Sequence, residues 1–144
     1  MLLKRRRIRA AQAAWEAATL PEPPVDGSGR HFRRSGRARA WIDWRAEGGP
    51  QLIRIESFAP PNGGRLLRLI TRLCDEFGLS MRAVASPYNP SSETLPPPRK
   101  RQSLLSWYRK HGFAIMGNDA VFYDGLMRYR RRRAPPAETR TARR

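Results

Sequence analysis

The chain has 144 residues, which is enough for one domain with a single hydrophobic core and leaves no room for a second catalytic domain within it. Its net charge of +17 is concentrated at the two ends: residues 1–39 carry ten Lys or Arg against three acids, and residues 128–144 carry eight against one. A lone cysteine, Cys74, excludes an internal disulfide and a cysteine-cluster metal site, and His31 and His111 have no metal-ligand spacing, so we predict no metal.

Residues 1–20 are predicted to form a basic N-terminal arm and a helix. Lys4-Arg5-Arg6-Arg7 precedes an alanine-rich segment, Ala10 to Leu20, which stops at Pro21. An arginine-rich start with no acid before Glu16 also fits a transit peptide, but we favour the first helix of the domain. No stretch approaches the roughly 18 apolar residues that a membrane span needs, so we expect a soluble, intracellular protein without membrane contact.

Two strands are predicted next, in one antiparallel hairpin. They run from Arg37 to Trp44 and from Gln51 to Phe58, and the polar turn Glu47-Gly48-Gly49-Pro50 joins them. In the second strand Ile53 and Ile55 favour β structure, and Arg54 and Glu56 are expected on its other face.

An amphipathic helix follows the hairpin. Asn62 is the expected N-cap, Gly63 and Gly64 a tight turn, and Gly78 the residue that ends the helix. A glycine turn feeding a helix N-terminus exposes unpaired N–H groups and the positive end of the helix dipole, which suits an anion such as a pyrophosphate. The alternative is an ordinary strand-to-helix turn without a ligand. The predicted apolar stripe of this helix consists of Leu66, Leu67, Ile70, Leu73, Cys74 and Phe77.

A strand from Leu79 to Ala85 leads into residues 86–102, where five prolines predict a mobile loop. A second helix is predicted from Leu104 to His111, with Gly112 just beyond its end. Leu104 and Tyr108 share one face of this helix, so we expect Tyr108 to point inward. Tyr108 is then either a functional phenol or a packing residue.

The basic run that starts at Arg128 predicts a final strand that passes into a disordered tail over residues 131–144. Together with the N-terminal arm, such a tail attracts polyanions through counterion release, and nucleic acid is the natural partner. The alternative is that the arginines reflect a general coding bias and lie in solvated ends of the chain.

Two segments, Gly63-Gly64-Arg65-Leu66-Leu67 and Trp107-Tyr108-Arg109-Lys110-His111-Gly112-Phe113, resemble the GCN5-related N-acetyltransferase superfamily in residues and in order along the chain. The resemblance covers residues 51–113. It implies an α+β fold with a central mixed, mostly antiparallel twisted sheet flanked by helices in three αβα layers, as a single domain over residues 21–130. Gly63 takes the last glycine place of the superfamily pattern and Leu66 its leucine, whereas Phe58 and Pro61 depart from it.

The resemblance also implies an activity, the transfer of an acetyl group from acetyl-coenzyme A to an amine in a cleft where two parallel strands splay apart. Tyr108 would be the general acid that protonates the departing thiolate, and Glu56 the general base. An ion pair between Glu56 and a strand arginine such as Arg54 or Arg39 is the alternative for Glu56. The residues implied to bind the coenzyme are Phe58, Asn62, Gly63, Gly64 and Arg65, with the backbone amides of residues 62–65 on the pyrophosphate.

Other functions stay open at this point. The first alternative is a degenerate member of the same fold that serves as a structural or nucleic-acid-associated protein, such as a component of a phage particle, and the departures at Phe58 and Pro61 favour it. The others are a nucleic-acid-binding protein of another fold and a basic ribosome-associated or capsid protein. The expected location is the cytoplasm of a bacterial or phage-infected cell, with the virion as the alternative.

Overall fold

The computed structural model describes residues 2–22, 32–57, 60–85 and 97–133. The helices are α1 (Leu2–Ala18), α2 (Pro60–Phe77), α3 (Pro97–Lys110) and α4 (Gly125–Arg133). The strands are β1 (Leu20–Pro21), β2 (Arg33–Ser35), β3 (Ala38–Asp43), β4 (Gln51–Ser57), β5 (Met81–Ala83), β6 (Ala114–Met116) and β7 (Asp119–Phe122).

The strands form one open sheet in the order β1-β2-β3-β4-β5-β7-β6. Strands β4 and β5 are parallel, and the other neighbouring pairs are antiparallel. The parallel pair is connected through α2, as a parallel connection requires. The prediction of an α+β fold with a mostly antiparallel sheet is therefore confirmed, and so is the predicted hairpin of β3 and β4.

The core lies on one face of the sheet. Alternate residues of β3, β5 and β7 are buried, while their neighbours are half-buried or exposed. Helix α1 contributes Ala11 and Trp15 to this core and α3 contributes Tyr108. The strand residues buried in it are Ala38, Ala40, Ile42, Leu52, Met81, Ala83, Ala120 and Phe122.

Charged residues occupy the opposite face. Arg39 and Arg54 lie there on neighbouring strands, and Arg82 alternates with the buried residues of β5. Among the described residues no helix covers this face, so the second helical layer of the predicted three-layer fold is not seen. A sheet that is apolar on one face and charged on the other needs helical cover on the apolar face only.

The apolar stripe predicted for α2 is confirmed, because its first five members are buried in the core and Phe77 is packed against it. The end of α2 is also as predicted: Gly78 has a φ of 64°, and the N–H of Leu79 donates to the carbonyl of Cys74 at 2.8 Å. The predicted start is wrong, because α2 begins at Pro60 and Asn62, Gly63 and Gly64 lie inside its first turns. Proline suits the first helical turn, since its φ is already helical and no N–H is needed there.

Three further boundaries differ from the predictions. Helix α1 begins at Leu2, since arginine and lysine are good helix formers and extend the alanine-rich segment. Helix α3 begins at Pro97, inside the predicted loop of residues 86–102, of which residues 86–96 lie outside the described part. The predicted strand from Leu79 to Ala85 is shorter, Met81–Ala83.

The final strand predicted from Arg128 is wrong, since this segment belongs to α4. Asp124 explains the difference because it caps the helix: its carboxylate accepts a hydrogen bond from the N–H of Met127 at 3.0 Å, and its carbonyl accepts one from Arg128 at 2.9 Å. Helix α4 extends to Arg133 and so includes the first residues of the predicted tail, while residues 134–144 lie outside the described part.

Candidate functional site

The parallel strands β4 and β5 separate after a short contact. They pair at Gln51 with Arg82 and at Leu52 with Ala83, and the N–H of Val84 donates to the carbonyl of Leu52 at 3.0 Å. Beyond this point β4 continues to Ser57 with β3 as its partner among the described residues. On the β5 side, the carboxyl-terminal half of β4 therefore has no strand partner among the described residues, and we call this unpaired side of β4 the opening.

A β-bulge lies at the same place. Trp41 pairs with Arg54 and Ile42 pairs with Leu52, so that Ile53 is an extra residue on β4. Leu52 and Ile55 both contribute to the core side as a result, while Arg54 and Glu56 point to the charged face. Bulges bend a strand and are frequent beside active sites. Here the bulge marks the residue at which β4 and β5 part.

Helix α2 starts three residues after β4 ends, and its amino terminus lies near this opening. Of its first three residues only Asn62 has a free N–H, because Pro60 and Pro61 have none. The N–H groups of Gly63, Gly64 and Arg65 fall within the regular hydrogen-bonding ladder of the helix. In a helix that begins at Pro60, Asn62 is thus the residue of the predicted cradle, residues 62–65, whose amide the helix leaves free.

The predicted coenzyme-binding residues otherwise lie as follows. Phe58 is outside the described residues. Gly63 is buried, Gly64 is half-buried and the side chain of Arg65 is exposed. The positive end of the α2 dipole and the Arg65 guanidinium are thus the cationic features of this segment.

The two segments singled out from the sequence are in contact. A Cβ built on Gly64 would lie 3.6 Å from the Nε2 atom of His111, which follows α3. The Nδ1 atom of His111 lies 3.0 Å from the carbonyl oxygen of Trp107. Because a carbonyl only accepts hydrogen bonds, Nδ1 carries a hydrogen and Nε2 faces Gly64.

Tyr108 is fully buried on the core side of the sheet, as predicted from its helix face. Its ring lies 5.1 Å from that of Phe113 and 5.4 Å from that of Trp107. Burial raises the pKa of the phenol above its ordinary value. The side chain therefore keeps its proton at neutral pH.

Glu56 is an ion-paired residue. Its Oε2 atom lies 2.7 Å from Nη2 of Arg39, and its Oε1 atom lies 2.6 Å from Nε of Arg54. The alternative interpretation of Glu56, an ion pair with a strand arginine, is confirmed. Glu56 and Tyr108 lie on opposite faces of the sheet, so the structure does not bring the two predicted catalytic residues together.

Sequence reasoning missed how far this charge network extends. Glu22 lies 3.6 Å from both Arg34 and Arg39, and the Arg39 guanidinium stacks 4.5 Å above the ring of Phe32. The only signal in the sequence was the presence of charges on alternate strand residues, and these do not fix strand pairing without the register.

Metal and membrane features are absent from the part of the chain that the structure describes. It contains no cluster of three or more His, Cys, Asp or Glu residues suited to a metal ion, and no helix with the length and apolarity to cross a membrane. Cys74 is buried, and burial raises the pKa of its thiol to about 12.

Comparisons of the chain with protein-family models, with curated proteins and with solved structures find no match.

Proposed function

We propose that the chain is an N-acetyltransferase with the fold of the GCN5-related superfamily, acting on an amine. The observation that carries this proposal is the separation of β4 and β5 at a bulge, close to the amino terminus of α2. A cleft between two splayed parallel strands is what the sequence resemblance implies. The contact between Gly64 and His111 supports it further, because it joins the two segments that carry the resemblance.

Residues at the start of α2 would hold acetyl-coenzyme A. The Asn62 N–H and the helix dipole favour the pyrophosphate, and the exposed Arg65 adds a full positive charge where Pro60 and Pro61 remove two amides. These residues fit the pyrophosphate of the coenzyme. The Arg65 side chain would contribute more to its binding than a side chain does in a glycine-rich turn, where backbone amides hold the phosphates.

Acetyl-coenzyme A supplies an activated thioester, and the chain's own residues orient the reactants and move a proton. Tyr108 keeps its phenolic proton at neutral pH, and in this proposal it donates that proton to the departing thiolate of coenzyme A. Glu56 forms ion pairs with Arg39 and Arg54 on the other face of the sheet. In this proposal Glu56 accepts the proton of the amine through water.

The proposal is tested by calorimetric titration of the full-length chain with acetyl-coenzyme A, at a salt concentration that suppresses nonspecific binding. We expect one equivalent to bind, and Arg65→Ala to weaken binding about tenfold through loss of a charge-assisted contact. Arg72→Ala is the matched control because Arg72 is also exposed on α2 but lies about two helical turns beyond Arg65, and we expect it to change affinity less than about twofold. Equal losses in the two variants, or no binding to the unaltered chain, would refute the site.

A specific observation also favours a second function, association with nucleic acid. Helix α4 has no buried residue, and it carries Arg130 to Arg133 in succession. Tyr129 on the same helix is 53% exposed. A helix with four adjacent arginines and little packing is typical of a phosphate-binding surface.

This second function is tested through the salt dependence of nucleic-acid binding. Arg131 and Arg133 stack on tyrosine rings, so we choose Arg130 and Arg132 for replacement. Arg130→Ala with Arg132→Ala is expected to lower the slope of log affinity against log salt by about two, and Arg68→Ala with Arg72→Ala on α2 is the charge-matched control. An equal change in both double variants would mean that α4 is not the binding surface.

A further inference from the structure

A cavity lies at the end of the sheet opposite the cleft. Its volume is about 700 Å³, and it is bounded by the amino-terminal half of α1 and by the turn between β3 and β4. This turn precedes β4, whereas the cleft borders the carboxyl-terminal half of the same strand. The cavity is therefore separate from the proposed acetyl-transfer site.

The lining of the cavity is strongly cationic. Four basic side chains lie on it against one carboxylate, Glu47. Within the described residues, none of the four basic side chains forms a salt bridge. The four are Lys4, Arg5, Arg9 and Arg45.

A smaller cavity of about 230 Å³ continues on the other side of the turn and shares Lys4 with the first. It adds Arg7, whose guanidinium is 3.5 Å from the carbonyl oxygen of Gly78. Its carboxylate, Asp124, is already engaged, since it hydrogen-bonds to Ser80 and caps α4. The charges that the second cavity adds, Arg7 and Asp124, balance each other, so the excess of positive charge lies in the first cavity.

The charge arrangement on α1 is unfavourable for the helix alone. Lys4 and Arg5 lie in the first turn, where the helix dipole repels cations, and this turn contains no acid. Arg5 and Arg9 stand four residues apart, so two like charges face each other on the helix surface. A bound anion would relieve both repulsions, and local departures from such rules are expected at functional sites.

The rest of the cavity can accept a ligand without rearrangement. Trp44 and Ile8 give it an apolar floor, and Trp44 is only 8% exposed, so its position is fixed by the core. Gly48 and Gly49 have φ values of 87° and 118°, and a Cβ on either would meet nothing within 4 Å. The turn thus presents bare backbone to an open space.

We propose that this cavity binds a small ligand that carries two or more phosphate groups. Unpaired guanidinium groups favour phosphate because they donate two parallel hydrogen bonds to its oxygens. The volume is that of a small-molecule site, and the cations line a concavity that is open to solvent, with Arg45 on the turn and the other three on α1. The phosphates of a nucleic-acid chain are the other source of the same chemistry.

The test is calorimetric titration of the full-length chain with inorganic tripolyphosphate, and separately with a short oligothymidylate. Arg9→Ala with Arg45→Ala removes two cations from the cavity, and Arg68→Ala with Arg72→Ala removes two exposed cations from α2 as a charge-matched control. We expect tripolyphosphate to bind, and the cavity variant to weaken it about tenfold or more while the control changes it less than about twofold. Because all four arginines are exposed, neither variant should melt below the temperature of the unaltered chain.

Two results would overturn the proposal. Equal losses in the cavity variant and the control would mean that net charge, and no defined site, attracts the anion. Binding of the oligothymidylate but not of tripolyphosphate, with loss in the cavity variant, would make the cavity a nucleic-acid contact. Acetyl-coenzyme A also carries several phosphates, so its binding is titrated in the cavity variant as well. Retained coenzyme binding in that variant, with loss of tripolyphosphate binding, assigns the coenzyme to another site, and loss of both assigns it to the cavity, so the two proposals can fail independently.

Discussion

Replacing Gly64 by alanine distinguishes the helix seen here from the glycine turn that the sequence predicts. Gly64 lies inside α2 and has no positive φ, so alanine fits its backbone. Its new Cβ would lie 3.6 Å from Nε2 of His111, an ordinary contact distance. Glycine costs about 0.5–1 kcal/mol relative to alanine in a helix interior, and we expect Gly64→Ala to stabilise the chain by that amount.

Gly78→Ala is the matched control for this prediction. Gly78 has a φ of 64°, and a Cβ there would approach Nη1 of Arg7 to 3.3 Å. The left-handed conformation costs a side chain about 1–2 kcal/mol, so this variant should be destabilised. Urea unfolding followed by circular dichroism measures both changes. Destabilisation by Gly64→Ala of the same size as by Gly78→Ala would refute the helical start of α2 and restore the predicted turn.

Three other predictions concern the cleft and the core. In guanidinium unfolding, Tyr108→Phe should change the free energy of unfolding by less than about 1 kcal/mol, whereas Tyr108→Ala should lower it by about 3–5 kcal/mol. With an acceptor amine, Tyr108→Phe should also lower turnover and leave the affinity for the coenzyme nearly unchanged. A double-mutant cycle of Arg39→Ala and Glu56→Ala should give a coupling energy of about 0.5–1 kcal/mol, and a value near zero would contradict the ion pair. Burial raises the pKa of the Cys74 thiol from 9.0 to about 12, so on raising the pH the unfolded chain loses this proton before the folded chain does. The free energy of unfolding should therefore fall as the pH rises from 9.0 to about 12, and it should fall less in Cys74→Ala.

The sequence predicted the elements whose signals are local. The apolar stripe of α2 and the glycine at its end follow from helical spacing and from the φ that Gly78 supplies. The hairpin of β3 and β4 follows from alternation and from a turn with two glycines. Each of these signals is contained within a few neighbouring residues, so no knowledge of the tertiary fold was needed.

Errors arose where one local signal was outweighed by another. Gly63 and Gly64 indicated a turn, but Pro60 and Pro61 start the helix earlier. The basic run after Arg128 resembled a strand entering a tail, but the Asp124 cap starts a helix there instead.

The arrangement of the site could be predicted only in part. The approach of His111 to Gly64 and the partners of Glu56 depend on strand register and helix docking, which pair residues far apart in the chain. The cationic cavity was missed for the same reason. Arg45 and Lys4 are distant in sequence, and only the packing of α1 beside the turn brings them to one cavity.

Hydrogen–deuterium exchange of the full-length chain, with and without saturating acetyl-coenzyme A, tests for an acetyl-transfer site between β4 and β5. We expect slower exchange in residues 53–57 of β4 and at Asn62 in the first turn of α2, because these amides border the cleft. In the same experiment on the Arg9→Ala, Arg45→Ala variant, which removes phosphate binding at the cavity, exchange around residues 44–49, at the opposite end of the sheet, should be unchanged. Protection confined to that cavity, or no protection anywhere, would contradict an acetyl-transfer site between β4 and β5.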